Sequence, residues 1–301
     1  MQKPSAEIKL IAIDIDGTLL RPDGQISPRT CAAIQAARDA GMIVTLATAR
    51  RYIGAQAIAT ALGIELPLIV YDGALIVSHP SQTILVSQTL APALIQQTIE
   101  VFQRYHLQPI IQPCESGLCL NEEVWTGLVE YDNPGLAAYL LAGRDRTRRM
   151  AYELLQASAT NVLRIAAFAE EEVLQRMLPA ITELPCSWIF APHGSYQSAE
   201  LAVMQPGCSK ASGITTLAAY YGIALEQVMA IGDSYNDLEM LRLAGWGVAM
   251  GQAPESVKAA ANAITASNLE DGVALALERY ALASASPSLV AVDGDVTDMA
   301  R

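Results

Sequence analysis

The chain has 301 residues, 52% of them hydrophobic, which allows a large core and, at roughly 100–200 residues per domain, two domains. Its 31 acidic residues against 19 basic ones give a formal charge of −12, which argues against nucleic acid as a partner. The same charge repels an anionic ligand at long range, so any phosphate must be held by local cations and amides.

Residues 8–13 form a short apolar run, expected as a buried strand of a parallel sheet. It ends in Asp14-Ile15-Asp16-Gly17-Thr18. Two carboxylates at i and i+2 of a loop leaving a strand can divide nucleophilic and acid/base roles, provided a cation neutralises them. The alternative is a plain acidic turn, because Asp and Gly favour turns without any chemistry. Ser27-Pro28 is an N-cap and N1 pair that opens a helix over 30–40, stopped at Gly41. A strand over 42–47 then delivers Thr48-Ala49-Arg50-Arg51, where Thr48 can be a helix N-cap before Ala49-Arg50-Arg51, and a helix is expected over 52–62. A third strand over 68–71 ends at Asp72-Gly73. This alternation requires a parallel sheet with right-handed crossovers.

A long insert follows, over 78–199, with strands expected at 83–88, 109–112, 162–168 and 187–191 and amphipathic helices at 92–105 and 170–182. Residues 121–149 show no clear period. The three histidines, His79, His106 and His193, all fall in the insert without partners at metal-ligand spacing; His193-Gly194-Ser195-Tyr196 is a candidate substrate loop. The strand–helix rhythm resumes after Lys210, with helices at 212–221, 237–244 and 254–261 and strands at 228–231 and 246–249. The first of these strands delivers Gly232-Asp233-Ser234-Tyr235-Asn236-Asp237. Two aspartates four residues apart among small and amide residues can hold a hard cation, Mg²⁺ above all, while leaving room for water and phosphate. Alternatively, Asp237 merely favours a helix dipole. A last helix is expected over 269–283, and the Ser-, Ala-, Asp- and Gly-rich tail over 284–301 is expected to be a flexible extension.

Five cysteines without a Cys-x-x-Cys pair suggest neither a disulfide framework nor a zinc site. The N-terminal segment is too short and polar for a secretory signal. No apolar run approaches the ~18–20 residues that cross a bilayer. A cytoplasmic protein without membrane partners is the expectation, and its oligomeric state is not legible.

Asp14-Ile15-Asp16-Gly17-Thr18, Thr48 within Leu46-Ala47-Thr48-Ala49-Arg50, Lys210, and Gly232 to Asp237 together resemble, in order, the four motifs of the haloacid dehalogenase superfamily. Within it, the chain looks like a Cof-type subfamily IIB phosphatase. The resemblance implies an α/β fold: a Rossmann-like parallel-sheet core from 1–77 and 200–283, with an α/β cap inserted over 78–199 that excludes water and selects substrate. It implies that Asp14 attacks phosphorus and carries an aspartyl-phosphate, and that Asp16 protonates the leaving alkoxide and then activates water. Mg²⁺ would be held by Asp14, the main-chain carbonyl of Asp16 and Asp233, with Asp237 supporting it. Thr48 and Lys210 would bind the phosphoryl group, with Arg50 as a further candidate anion contact, and Asn236 would orient the acidic loop beside the substrate. Thr48 and Lys210 owe this assignment to the motifs around them; alone, a cap and a solvated lysine would suffice. The expected substrate is a small phosphorylated metabolite, perhaps a sugar phosphate; a phosphomutase or a ligand-binding regulatory protein are the alternatives. Two positions depart from the family pattern. Ala49 stands where many relatives have Gly, and Asp72 where many have Asn, an extra carboxylate that is unfavourable near phosphate unless a cation faces it.

Overall fold

The computed structural model describes residues 3–114, 123–142, 146–192 and 198–284. The tail from 285 onward, the loop from His193 to Tyr196, and residues 121–122 and 143–145 of the unassigned stretch lie outside them.

In chain order the first elements are β1 (Leu10–Ile13), α1 (Pro28–Asp39), β2 (Ile43–Leu46), α2 (Tyr52–Ala61), β3 (Leu68–Val70), β4 (Leu75–Val77) and β5 (Ile84–Ser87). The insert adds α3 (Pro92–Arg104), β6 (Ile110–Pro113), β7 (Glu123–Thr126), α4 (Pro134–Ala142), β8 (Arg146–Arg149), α5 (Tyr152–Ser158), β9 (Val162–Ala169), α6 (Glu171–Thr182), β10 (Ser187–Ala191) and β11 (Ala199–Met204). The chain then continues through α7 (Lys210–Tyr220), β12 (Val228–Gly232), α8 (Leu238–Leu243), β13 (Trp246–Ala249), α9 (Glu255–Lys258), β14 (Ala263–Ile264) and α10 (Gly272–Ala276). Two compact units result, Met1–Val86 with Ser209–Arg301, and Ser87–Cys208.

The first unit is built on a five-stranded sheet of order β14-β13-β12-β1-β2, parallel throughout. Its strands are short and apolar because both faces are covered. Leu10, Ala12, Ile43, Val228 and Ala230 share a core with Ile214 and Leu217 of α7 and Met240 and Leu241 of α8. Each of the larger side chains among them, Val, Leu, Ile or Met, contributes about 1.5–3 kcal/mol on burial. Ser27 caps α1 as its sequence suggests, accepting from the Thr30 N–H at 3.1 Å with Pro28 in the first turn. In register, Ile13 lies opposite both Ile231 and Leu46. The loops that begin at Asp14, Thr48 and Asp233 therefore leave the same edge of one sheet.

The third strand meets its expectation on one side only. A parallel strand over 68–71 was expected, and β3 does run parallel to the end of β2, through the Ala47–Ile69 bridge and the Thr48 N–H bond to the Ile69 carbonyl at 2.9 Å. On its other side β3 pairs antiparallel with β4, and β5 completes a three-stranded sheet. Tyr71, Asp72 and Gly73 all have positive φ, which reverses the chain in three residues where a crossover helix would have been needed to continue parallel. The domain boundaries also move. Residues 78–86 stay with the first unit because β5 joins the sheet of β3 and β4, and 200–208 belong to the insert because β11 pairs with β9.

The second unit has a six-stranded mixed sheet, order β10-β11-β9-β6-β7-β8, antiparallel except between β7 and β8. One face packs Ile111, Ile165, Leu201 and Val203 against Phe102 of α3 and Leu174, Met177 and Ile181 of α6. On the other, Ile110, Val124, Ala166 and Phe168 meet Leu136 and Tyr139. The helix expected over 269–283 is regular only in α10 and continues to Ser284 in wider and tighter turns.

Candidate active site

The loop after β1 turns back on itself over Ile15–Leu19, with Gly17 at φ +81°. Glycine is needed there twice over: its φ is left-handed, and a Cβ would come within 2.3 Å of Asp233 Oδ2. The acidic loops of β1 and β12 can meet because this side chain is missing. Asp14 emerges buried, at 3% exposure, and its backbone N–H donates to the Ile231 carbonyl at 3.0 Å.

Lys210, the first residue of α7, is 1% exposed and donates to Asp14 Oδ1 and to Asp237 Oδ1, each at 2.7 Å. Burial alone would lower the pKa of the ammonium, but Asp14, Asp237 and Asp72 outweigh it and hold it well above the usual lysine range. It is a fixed cation, not a solvated surface lysine. Asp237 has both oxygens occupied. Oδ2 accepts from the N–H groups of Asp233 and Ser234 at 3.0 and 2.9 Å, which clamps the turn after β12. Asp233 accepts from the Thr18 hydroxyl at 2.9 Å, so the two motif loops are also joined side chain to side chain.

Three carboxylates, Asp14, Asp233 and Asp237, each place an oxygen within 4.8 Å of the others. Burial pushes the Asp14 carboxyl well up, with Asp237 and Asp233 adding to the rise and Lys210 opposing it. Asp233 is likewise pushed up to about 6, by burial first and Asp237 second. Asp14 Oδ2 is buried with no hydrogen-bond partner. A buried carboxylate oxygen left unpaired among other carboxylates is costly unless a cation completes it, and an all-oxygen donor set suits a hard divalent ion. The residues present fit one.

Thr48 is buried, and its hydroxyl oxygen accepts from the Arg50 N–H at 3.1 Å. Because α2 starts only at Tyr52, Thr48 is not that helix's cap, and its own proton stays available to an acceptor. Arg50 was expected as an anion contact; here its guanidinium forms a fork on Asp16, with 2.7 and 2.6 Å bonds to the two carboxylate oxygens. The Asp16 side chain is about half exposed, unlike Asp14. Asn236 Nδ2 donates at 3.0 Å to Asp72 Oδ1, and Asp72 is fully buried, not a surface turn residue. Gln252, after β13, escaped sequence reasoning; its Nε2 donates to the Gly17 carbonyl at 2.5 Å and holds the first loop closed. Its signal was positional only, since β13 neighbours β12 in the sheet and ends at the same edge.

The sequence profile of the haloacid dehalogenase-like hydrolases matches residues 11–277. A 5-amino-6-(5-phospho-D-ribitylamino)uracil phosphatase of Bacillus subtilis is 29% identical over 273 residues, covering 90% of this chain and 97% of the relative. A pyridoxal phosphate phosphatase of Escherichia coli is 27% identical, covering 88% and 96%. Among solved structures, a HAD subclass IIB sugar phosphatase superposes with a TM-score of 0.74 at 26% identity, over 90% of this chain and 98% of that one.

Proposed function

This chain belongs to the haloacid dehalogenase-like hydrolases and is a phosphatase, and we propose that it hydrolyses a small phosphorylated metabolite through a phosphoryl group carried on Asp14. The observation that carries the reading is the Asp14 carboxylate itself, with one oxygen pinned by a buried ammonium and the other buried and unpartnered. Burial strips the carboxylate of solvent and the ammonium fixes its orientation, and both favour its use as a nucleophile.

Lys210 orients Asp14 and offers positive charge to the equatorial oxygens of the phosphoryl group, and the Thr48 hydroxyl donates to one of them. Asp14, Asp233 and the main-chain carbonyl of Asp16 would hold Mg²⁺, with Asp237 behind them. When bound, the ion neutralises the carboxylates that would otherwise repel phosphate. Asp16 gives its proton to the departing alkoxide and later takes one from the hydrolytic water. Both of its oxygens are engaged by Arg50, so proton transfer requires that fork to open. A bound phosphate is the anion able to take over the guanidinium. Substrate choice falls to residues outside this cluster, in the insert. The relatives named above act on phosphorylated ring compounds and sugars, and these define the first panel.

The test is phosphate release from 5-amino-6-(5-phospho-D-ribitylamino)uracil, pyridoxal phosphate, sugar phosphates and an aryl phosphate, with and without Mg²⁺, beside Asp14→Asn. Turnover that needs Mg²⁺ and falls by roughly 10³-fold or more in Asp14→Asn is expected. Metal-independent turnover, or turnover retained in the variant, would overturn the reading.

A further inference from the structure

The turn between β3 and β4 is built with unusual backbone. Tyr71, Asp72 and Gly73 lie in succession at φ 51°, 52° and 92°, a region that Asp tolerates better than most residues. Backbone bonds tie this turn to the loop after β2: the Asp72 N–H donates to the Thr48 carbonyl and the Tyr71 N–H to the Arg50 carbonyl, both at 3.0 Å. The result is a carboxylate delivered with 0% exposure beside the reaction centre. Its Oδ1 accepts from Asn236, whose Oδ1 in turn accepts from the Ser234 hydroxyl at 2.5 Å, within the turn that carries Asp233. Asp72 also lies close enough to Lys210 to add to the negative field on its ammonium.

Asp16 and Arg50 neutralise one another. Around the buried Lys210 ammonium stand Asp14 and Asp237, bonded to it, Asp233 in the same carboxylate cluster, and Asp72, whose charge also reaches it. The unpartnered Asp14 Oδ2 is the oxygen that a divalent ion would complete. Asp72 does not reach the three-carboxylate cluster as a ligand; its influence is through charge.

We propose that the Asp72 carboxylate sets how tightly this site holds its divalent cation, raising metal affinity at the expense of phosphate affinity. The inference rests on the reading that Asp14 and Asp233 hold such an ion. An amide at this position would give Asn236 the same acceptor oxygen without the charge. Asp72 thus tunes the cation by field, while the hydrogen bond that positions Asn236 is common to both residue types.

The experiment is a calorimetric titration of the full chain with Mg²⁺ alone, with melting curves at each Mg²⁺ concentration, on wild type, Asp72→Asn, Asp72→Ala and Asp233→Asn. Asp72→Asn keeps the acceptor and removes the charge. It should bind Mg²⁺ roughly five- to thirty-fold more weakly, show a smaller Mg²⁺-dependent rise in Tm, melt no lower than wild type without metal, and have a lower KM for a phosphate monoester at saturating Mg²⁺. Unchanged Mg²⁺ affinity in Asp72→Asn overturns the inference while wild-type binding that is lost in Asp233→Asn keeps the metal reading intact. Weakening confined to Asp72→Ala also overturns it, because only the hydrogen bond would then matter. No Mg²⁺ binding by wild type removes both.

Discussion

At the scale of single residues, the proposed chemistry rests on three side chains, Asp14, Lys210 and Asp233. Their roles depend on a residue with no side chain. Gly17→Ala would drive a methyl group against Asp233 Oδ2 and force a left-handed φ on alanine. We expect it to abolish Mg²⁺ binding, read by calorimetry, with a loss of about 1–3 kcal/mol in stability. The raised Asp233 carboxyl makes a second prediction. Its pKa is about 6 in the folded protein against an ordinary 3.8, so in metal-free protein its contribution to stability is fully present below about 3.8 and is lost as pH rises through about 6. Mg²⁺ binding has the opposite sense, because the ligand must be ionised. Mg²⁺ affinity should rise with pH through about 6, with a proton released on binding below that pH; a flat profile from pH 5 to 8 would contradict this. That Asp14 and Asp233 lie side by side at one end of the sheet was legible in the sequence, because each follows an apolar strand. The fork of Arg50 on Asp16 was not, since it joins residues 34 apart in the chain through side chains alone.

The informative element is the turn between β3 and β4. Gly73 has φ +92°, and a Cβ on it would lie 2.0 Å from the Ser209 carbonyl, immediately before Lys210. Gly73→Ala should destabilise the chain by about 3 kcal/mol or more in denaturant unfolding, because neither the turn nor the backbone of the α7 cap can yield. A cost below about 1 kcal/mol would mean that the two backbones separate easily. This element also shows where sequence reasoning stopped. Leu68 to Val70 has the composition of a parallel strand, and nothing local announces that three positive φ values will fold it into a hairpin with Leu75 to Val77. In the insert, α3 and α6 were found by their amphipathic period and lie within a residue of their expected limits. Helix α4, Pro-Gly-Leu-Ala-Ala-Tyr-Leu-Leu-Ala, is apolar all round, and β8, Arg-Thr-Arg-Arg, has no apolar alternation. Neither carries the period on which such a reading depends. Strand β11 was absorbed into the core segment, because its partner β9 lies 30 residues back across a helix and another strand.

Across the whole molecule, the division into two units and the parallel sheet assembled from both ends of the chain followed from length and from two acidic strand ends, while the boundaries shifted by about nine residues because strand pairing, not motif position, decides them. No helix among the described residues is long and apolar enough to cross a membrane. The net charge of −12 predicts a distinctive salt response: kcat/KM for an anionic substrate at saturating Mg²⁺ should rise as ionic strength goes from about 10 to 150 mM, since screening weakens repulsion between like charges. A fall would mean that local cations dominate the encounter as well as the site. The central claim, a covalent phosphoryl group on Asp14, is tested most directly by acid-quenching the enzyme during turnover with Mg²⁺ and a phosphate monoester and mapping the modified peptide by mass spectrometry. The account predicts one phosphoryl group on the peptide bearing Asp14, absent in Asp14→Asn and enriched when Asp16→Asn slows its hydrolysis; phosphate release with Asp14 unmodified at every quench time, in the wild type and in Asp16→Asn, would mean that water attacks the substrate directly and would contradict it.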